Sequence, residues 1–246
     1  MIDIHCHLLP EVDDGPKAWD VAVAMCRMAL EDGITHSVAT PHANDRYAYD
    51  RAYLTGVLDE LRERLGPQLP LELSLGCDFH LSFENVERAL EQPHNYTIAE
   101  TNYLLIELSN FSVPVGLEDC LFRLGNRGLT PILTHPERNP ILQQTPLRIL
   151  ELAEHGCLIQ VTASALTGHW GERAEIIARW LLDRSAVHIL ASDAHDDKRR
   201  VPNLSAARRV AETIVGSDYA EALVEGNPGA IVKGLSIPYC PRPVLD

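Results

Sequence analysis

Residues 1–17, MIDIHCHLLPEVDDGPK, place two histidines at the end of a short apolar segment and two aspartates in the loop behind it. Side chains alternate in direction along a strand, so His5 and His7 project to one side while Cys6 points away. Two imidazoles on one side of a strand end suit a single metal ion. The segment therefore predicts a first strand over Ile2–His5 with a metal-binding site at its carboxyl end.

Further short apolar segments alternate with helical patterns along the chain, which is typical of βα units and a parallel sheet. The seven predicted strands are Ile2–His5, Ser37–Thr40, Leu71–Gly76, Tyr103–Leu108, Pro131–Thr134, Leu158–Thr162 and Val187–Ser192. The predicted helices include Trp19–Asp32, Arg51–Leu65, Glu118–Asn126, Leu147–His155 and Glu172–Arg184, with Leu204–Ile214 and Tyr219–Val224 closing the chain. The final segment, IPYCPRPVLD, has three prolines and is predicted to be irregular. We expect a single α/β domain over residues 1–246, a closed or nearly closed (β/α)7 barrel, with a doubly wound open sheet as the alternative.

The composition excludes several classes of protein. A formal net charge of −14 argues against a surface that binds nucleic acid or anionic membrane. The first residues lack the pattern of a signal peptide, and no apolar segment approaches the ~20 residues of a transmembrane helix. The six cysteines include no CxxC pair, which favours reduced thiols. We therefore expect a cytoplasmic protein that does not insert into membranes.

Candidate metal ligands follow six of the seven predicted strands. They are His5, His7, His42, Asp78, Glu107, His135, Asp193 and His195. Because the carboxyl ends of parallel strands meet on one face of a barrel, these side chains should converge there. Taken alone, Asp78 could cap a helix and Glu107 could belong to a buried ion pair. As a set without sulfur they favour Mn²⁺, Fe²⁺ or Zn²⁺. Five other histidines are assigned structural or surface positions: His36, His94, His155, His169 and His188.

The motifs in combination resemble the polymerase and histidinol phosphatase (PHP) superfamily. Within it, the chain is similar to bacterial protein-tyrosine phosphatases associated with capsule and exopolysaccharide synthesis. The segments that carry the resemblance are MIDIHCHLLPEVDDGPK, TPH, GCD, LLIEL, THPERN, QVTAS, SDAH and NPGAIVKG, which span nearly the whole chain. The resemblance implies a distorted (β/α)7 barrel that holds two to three divalent cations, manganese first, with Fe²⁺, Zn²⁺ or Mg²⁺ as alternatives.

The resemblance also implies a role for each matching residue. His5, His7, Asp78 and Asp193 would hold the first cation; Asp78, Glu107 and His135 the second; and Asp14, His42 and His195 the third. Arg138 and Arg200 would bind phosphate, with Arg199 as an adjacent rival to Arg200. Asp14 is preferred to Asp13 because the family ligand is the second acid of DDG. One position departs from the pattern: Asp78 stands where this branch usually has Glu, and the shorter arm would draw in the backbone, loosen the bridge or change metal occupancy.

The implied reaction is hydrolysis of phosphotyrosine by a metal-bridged hydroxide, on a phosphotyrosine protein such as a tyrosine kinase of polysaccharide export. A cysteine-dependent phosphatase needs arginine six positions after its cysteine. The residues at that offset are Val12, Asp32, Phe83, Asn126, Ala163 and Asp246. Open alternatives are a PHP phosphatase acting on histidinol phosphate, a sugar phosphate or a nucleotide, an amidohydrolase-type hydrolase, and a catalytically silent metal-binding regulatory module. Glu107 stands where amidohydrolases commonly carry a modified lysine.

Overall fold

The computed structural model describes residues 1–245, and all the paired strands in that range are parallel. The strands are β1 Ile2–Cys6, β2 His36–Ala39, β3 His42–Ala43, β4 Glu72–Leu75, β5 Asp78–His80, β6 Tyr103–Glu107, β7 Thr130–Thr134, β8 Leu158–Thr162 and β9 Ile189–Ala191. Each predicted strand is present. The second and third are each followed, after a short interruption, by a further short strand that the sequence did not predict, β3 and β5.

The helices pack around the strands in the predicted order. They are α1 Trp19–Glu31, α2 Arg51–Leu65, α3 Phe83–Glu91, α4 Leu117–Asn126, α5 Leu147–Glu154, α6 Glu172–Asp183, α7 Ser205–Val215, α8 Ser217–Glu221 and α9 Asn227–Ile231, with a π-helical turn at Ala222–Gly226. Within residues 1–245 no helix has the length and apolar character needed to cross a membrane. The end of the chain is irregular through Leu245, as predicted, and Asp246 lies outside the described residues.

Helices α9 and α3 are absent from the predicted set. Helix α9 spans only five residues. Helix α3 has nine residues. It is short, and only Asn85, Val86 and Ala89 are buried, so its apolar stripe is hard to see in the sequence FENVERALE. Its start is encoded locally, because the Ser82 side chain accepts a hydrogen bond from the backbone N–H of Asn85 and caps the first turn.

The strand order distinguishes the barrel from a doubly wound sheet. One sheet has the order β1-β2-β4 and the other β3-β5-β6-β7-β8-β9. Since β2 leads into β3 and β4 into β5, neighbouring strands follow one another in sequence without the reversal of a doubly wound fold. The Asp193 N–H donates to the His5 carbonyl at 2.8 Å, and the His7 N–H donates to the Ala194 carbonyl at 2.8 Å. The predicted α/β fold, a distorted (β/α)7 barrel, is confirmed.

The interruptions have local causes and bring two site residues together. Pro41 lacks an N–H and follows β2, so it cannot continue the ladder as a donor. A Cβ atom at Gly76, after β4, would lie 3.1 Å from Val38 Cγ1. The chain resumes as β3 and β5, where His42 lies opposite Asp78 in register. The distortion therefore places these two side chains side by side.

An apolar cluster inside the barrel lies along the strands whose carboxyl ends carry the site. Its buried members are Ile4, Val38, Ile98, Tyr103, Leu105, Ile132, Leu158, Ile189, Ala191 and Ile231. Along β6, Tyr103 and Leu105 share the direction of Glu107, which is the next residue of the same alternation. The interior is thus apolar along its length and becomes acidic at the carboxyl ends of the strands.

A buried histidine at the opposite end makes stability depend on pH. His188, before β9, is 2% exposed, and its Nδ1 accepts the Ile159 N–H at 3.0 Å. Burial lowers its pKa from 6.5 to about 4. Between these pH values His188 is protonated in the unfolded chain and neutral in the folded protein. The free energy of unfolding is therefore about 3 kcal/mol higher when His188 is neutral than when it is protonated. This stabilisation is complete above pH 6.5 and is lost as the pH falls towards 4.

We expect His188→Gln to flatten that pH dependence, because the amide oxygen still accepts the Ile159 N–H but does not titrate. Urea unfolding of the metal-free protein at pH 7.5 and pH 5 measures the difference. An equal loss of stability in the variant and the wild type over this range would contradict the assignment.

Candidate metal centre

All nine predicted ligand side chains surround one cleft at the carboxyl ends of the strands. Their donor atoms form four overlapping groups, each with every donor atom within 4.8 Å of the others. The groups are His7, Asp14, His42 and His195; His5, Asp78 and His135; His5, His7 and Asp193; and His42, Asp78 and Glu107. The convergence predicted from the strand ends is therefore present in the structure.

Two of these residues have a backbone conformation that is rare outside glycine. His135 has a φ of 36° and Asp193 a φ of 51°, both in the left-handed region. Such residues are strained and occur preferentially at functional sites, where the surrounding structure holds them. Here the sharp turn directly after β7, and again shortly after β9, accompanies a side chain directed into the cleft.

The loop after β1 sends its two aspartates to different partners. Asp14 Oδ1 lies 3.3 Å from His42 Nε2 and 3.4 Å from His195 Nε2. Asp13 turns back, and its Oδ2 is 2.6 Å from His7 Nδ1. A Cβ atom at Gly15 would lie 3.0 Å from the His7 carbonyl oxygen, so glycine allows this loop to pack closely on the end of β1.

Hydrogen bonds fix the orientation of three imidazoles. Asp13 accepts from His7 Nδ1, and the Asp193 carbonyl accepts from His195 Nδ1 at 3.0 Å. A carboxylate and a carbonyl oxygen only accept, so the proton in each pair lies on Nδ1. His5 Nδ1 lies 2.9 Å from Gln160 Oε1 in the same way. Each Nε2 is left directed into the cleft, which is the usual support of a metal-binding histidine.

Asp78 lies at the centre of the cluster. It is 1% exposed, and its Oδ2 lies 3.1 Å from His42 Nδ1 and 3.6 Å from His5 Nε2. Asp78 belongs to two of the four groups, one with His5 and His135 and one with His42 and Glu107. The aspartate side chain, although shorter than glutamate, therefore reaches both groups.

Several buried atoms of the cluster have no hydrogen-bond partner among residues 1–245. They are both carboxylate oxygens of Asp78, Nε2 of His5 and of His7, and Nδ1 of His42. Buried polar atoms without partners are costly, and divalent cations would satisfy all of them. The donor set therefore fits a metal centre.

The carboxylates shift the protonation of their neighbours. Burial opposes the charged form of His42, yet Asp14, Asp78 and Glu107 outweigh it and raise its pKa to about 11. Burial and Asp78 together raise the pKa of Glu107. Burial, together with His195, lowers the pKa of His7 to about 4. Protons therefore bind within this acidic cluster, and a cation would compete with them.

Both predicted arginines reach the cleft and meet at Asp193. Arg200 Nη2 donates to Asp193 Oδ2 at 2.6 Å, and Arg138 Nη1 contacts the same oxygen. Asp193 is buried, which raises the pKa of a carboxyl, but the two arginines and His5 hold its pKa well below the ordinary value. Arg199 is exposed and lines a separate pocket of about 190 Å³. The geometry thus favours Arg200 over its neighbour.

Four residues at the site were not assigned a role from the sequence. Gln160 and Asp13 orient histidines, and Trp170 lies beneath both arginines. His80 Nδ1 lies 3.6 Å from Glu107 Oε2. The alternation that pairs His5 with His7 also applies to the segment DFH at residues 78–80, and it would have found His80. Trp170 has no comparable sequence signal.

Replacement of Asp13 by asparagine should weaken metal binding without removing a ligand. The amide lacks the charge that holds the His7 Nδ1 proton, so Nε2 becomes a poorer and less oriented donor. We expect Mn²⁺ affinity to fall about 10- to 100-fold, measured by titration of the metal-free protein. The control is Asp45→Asn, an exposed carboxylate in the β3–α2 loop. Equal affinity of the Asp13 variant and the wild type would contradict this role.

The fold and the cluster define a βα-barrel protein with a histidine and carboxylate site suited to divalent cations. The chain belongs to the family described as "Capsular polysaccharide synthesis, CpsB/CapC", which matches residues 1–233.

Three comparisons agree with this family. The tyrosine-protein phosphatase YwqE of Bacillus subtilis (strain 168) is 33% identical over 227 residues, 92% of this chain and 89% of that protein. The putative tyrosine-protein phosphatase CapC of Staphylococcus aureus is 34% identical over 202 residues, 81% of this chain and 79% of the relative. A solved structure from work on YwqE and Streptococcus pneumoniae CpsB, described as unique metal-dependent tyrosine phosphatases, has a TM-score of 0.93 at 33% identity and covers 99% of both chains.

Proposed function

We propose that this protein is a metal-dependent phosphomonoesterase that hydrolyses phosphotyrosine in proteins. The observation that carries the proposal is the junction at Asp193. One of its oxygens faces His5 and His7 at 3.4 and 3.6 Å, and the other holds Arg138 and Arg200. Metal donors and two phosphate-binding side chains are thus joined through one residue. The names of the relatives, tyrosine-protein phosphatases, support the substrate class.

The proposed metal centre holds two to three divalent cations, with Mn²⁺ preferred to Fe²⁺, Zn²⁺ and Mg²⁺. We assign His5, His7, Asp78 and Asp193 to the first cation, Asp78, Glu107 and His135 to the second, and Asp14, His42 and His195 to the third. His7 lies close enough to serve either the first or the third cation, since its donor atom is near Asp193 and also near Asp14. When bound, such cations neutralise phosphoryl oxygens and acidify the attacking water.

The arginines of this chain would orient the substrate. Guanidinium groups donate in pairs to phosphate oxygens and remain charged at every relevant pH. To bind phosphate, Arg138 and Arg200 exchange at least part of their contact with Asp193 for the substrate. The leaving group is a phenolate, whose conjugate acid has a pKa of about 10, so its departure needs less acid assistance than that of an alkoxide. The reaction therefore does not require a separate strong general acid.

We further propose that residues 1–246 form one domain and that the protein acts in the cytoplasm. Its proposed partner is a phosphotyrosine protein, such as a tyrosine kinase of polysaccharide export. The family description, which refers to capsular polysaccharide synthesis, supports this context. The net charge of −14 supports the exclusion of nucleic acid as a partner.

A metal-reconstituted assay tests the function. The protein is freed of metal, reloaded with Mn²⁺, and offered a phosphotyrosine peptide, histidinol phosphate, sugar phosphates and a nucleotide. We expect the peptide to have the highest kcat/KM and chelation to abolish turnover. A clear preference for a small phosphomonoester would overturn the protein-phosphatase proposal and leave the metal centre standing.

His135→Ala tests the site in the same assay. Its matched control is His155→Ala, an exposed histidine at the end of α5, away from the cluster. We expect the first variant to lose at least about a hundredfold in kcat/KM and the second to match the wild type. Equal rates from the two variants would contradict the proposed role of His135.

A further inference from the structure

The indole of Trp170 lies against both arginines of the site. The Arg138 guanidinium carbon is 3.8 Å from the ring centroid, and that of Arg200 is 5.2 Å from it. Trp19 and Trp180 also carry an arginine each, Arg64 at 4.3 Å and Arg184 at 5.7 Å. Within residues 1–245, Trp170 is the one tryptophan that contacts two arginines in this way.

Trp170 is itself held in place. It lies between β8 and α6, is half-buried, and packs against the apolar layer between strands and helices. Its Nε1–H donates to Ser164 Oγ at 2.9 Å, which fixes the rotation of the ring. His169 packs edge-on against it, with 5.8 Å between ring centroids. The two arginines therefore rest on a side chain with little freedom of its own.

The arginines gain from such a support, because phosphate would compete with Asp193, the acceptor that they share. Arg138 has one further side-chain acceptor, Thr162 Oγ1 at 3.1 Å. Both guanidinium groups reach the same oxygen of Asp193, and two like charges close together repel. A phosphate that accepts hydrogen bonds from them weakens their attachment to Asp193. An indole ring face attracts a guanidinium through its charge and does not need the N–H groups as hydrogen-bond donors. Trp170 can thus hold the pair while the N–H groups change partners.

We propose that Trp170 is a positioning residue for phosphate binding. It keeps the guanidinium groups of Arg138 and Arg200 convergent on the position of the substrate phosphate. The inference rests on the proposed function, in which those two arginines bind phosphate. It extends that function by one residue, which acts through its contacts with the two arginines.

The test compares Trp170→Leu, Trp170→Phe and Trp19→Leu with the wild type. Each protein is loaded with Mn²⁺, freed of excess metal, and titrated with inorganic phosphate in a calorimeter. We expect phosphate to bind about tenfold more weakly to Trp170→Leu, because each of two cation–π contacts contributes a few-fold. Phenylalanine keeps an aromatic face and should restore the affinity to within about threefold. Trp19→Leu loses the contact with Arg64, which involves neither Arg138 nor Arg200, and should match the wild type.

Measurements of bound Mn²⁺ and of the melting temperature distinguish a positioning role of Trp170 from a general loss of structure in the variant. We expect Trp170→Leu to retain the wild-type metal content. Unchanged phosphate affinity in this variant would overturn the proposal, as would a loss of Mn²⁺ that accounts for the weaker binding. Equal weakening in the Phe and Leu variants would also overturn it. If Trp170→Leu does not fold, Ser164→Ala takes its place, with about threefold weaker phosphate binding expected and no change contradicting the proposal.

The results that would overturn the proposed function differ from those that would overturn the role of Trp170. A wild-type protein that binds phosphate yet does not hydrolyse the phosphotyrosine peptide would overturn the substrate assignment, while the phosphate affinities still decide the role of Trp170. A wild-type protein that does not bind phosphate would overturn both.

Discussion

Asp193→Asn should lower kcat/KM for a phosphotyrosine peptide by about a thousandfold. Asp193 Oδ1 lies 3.4 Å from His5 Nε2 and 3.6 Å from His7 Nε2, while Oδ2 accepts from both arginines. Asparagine keeps the shape but has no charge, and its NH₂ group can neither bind a cation nor accept from a guanidinium. One substitution therefore affects the proposed first cation and the phosphate-binding pair together.

The measurement combines steady-state kinetics with metal analysis of the purified protein. The matched control is Asp197→Asn, a partly exposed carboxylate in the same loop with no ion pair in the described chain. We expect the Asp193 variant to lose bound Mn²⁺ and the control to keep both metal and activity. A loss of less than tenfold in the Asp193 variant would show that this residue does not join the two halves of the site.

Asp78→Asn should have an effect of similar size, about a thousandfold in kcat/KM, through loss of metal. Asp78 is 1% exposed, and both its oxygens lack hydrogen-bond partners among residues 1–245. It is the acidic residue shared by two donor groups, so the neutral amide removes charge from both. Metal content of the purified variant and a Mn²⁺ titration measure the loss.

Asp78→Glu is the matched comparison, because it restores the residue that the resemblance leads us to expect at this position. The charge is retained, and we expect most of the bound Mn²⁺ and activity to be retained with it. The extra methylene has to be accommodated at a buried position and should lower the free energy of unfolding by about 1–3 kcal/mol. Full metal occupancy in Asp78→Asn would contradict the central role given to this carboxylate.

The predicted barrel and ligand set depended on rules that act locally. Alternation along a strand directs His5 and His7 to one side, and parallel strands bring their carboxyl ends to one face. These rules need only the strand positions, which the apolar segments mark clearly. Helix α3 escaped prediction because its buried stripe is only a few residues wide.

The sequence by itself thus determined the (β/α)7 barrel and the convergence of eight candidate metal ligands at one end of it, to which the resemblance added Asp14. Only the tertiary structure decided what surrounds them: Asp13 on His7, Arg200 rather than Arg199 at Asp193, and Trp170 beneath both arginines. Arg138 and Asp193 are 55 positions apart in the chain. Contacts across such separations depend on how whole elements pack and how loops turn, and no local periodicity records them.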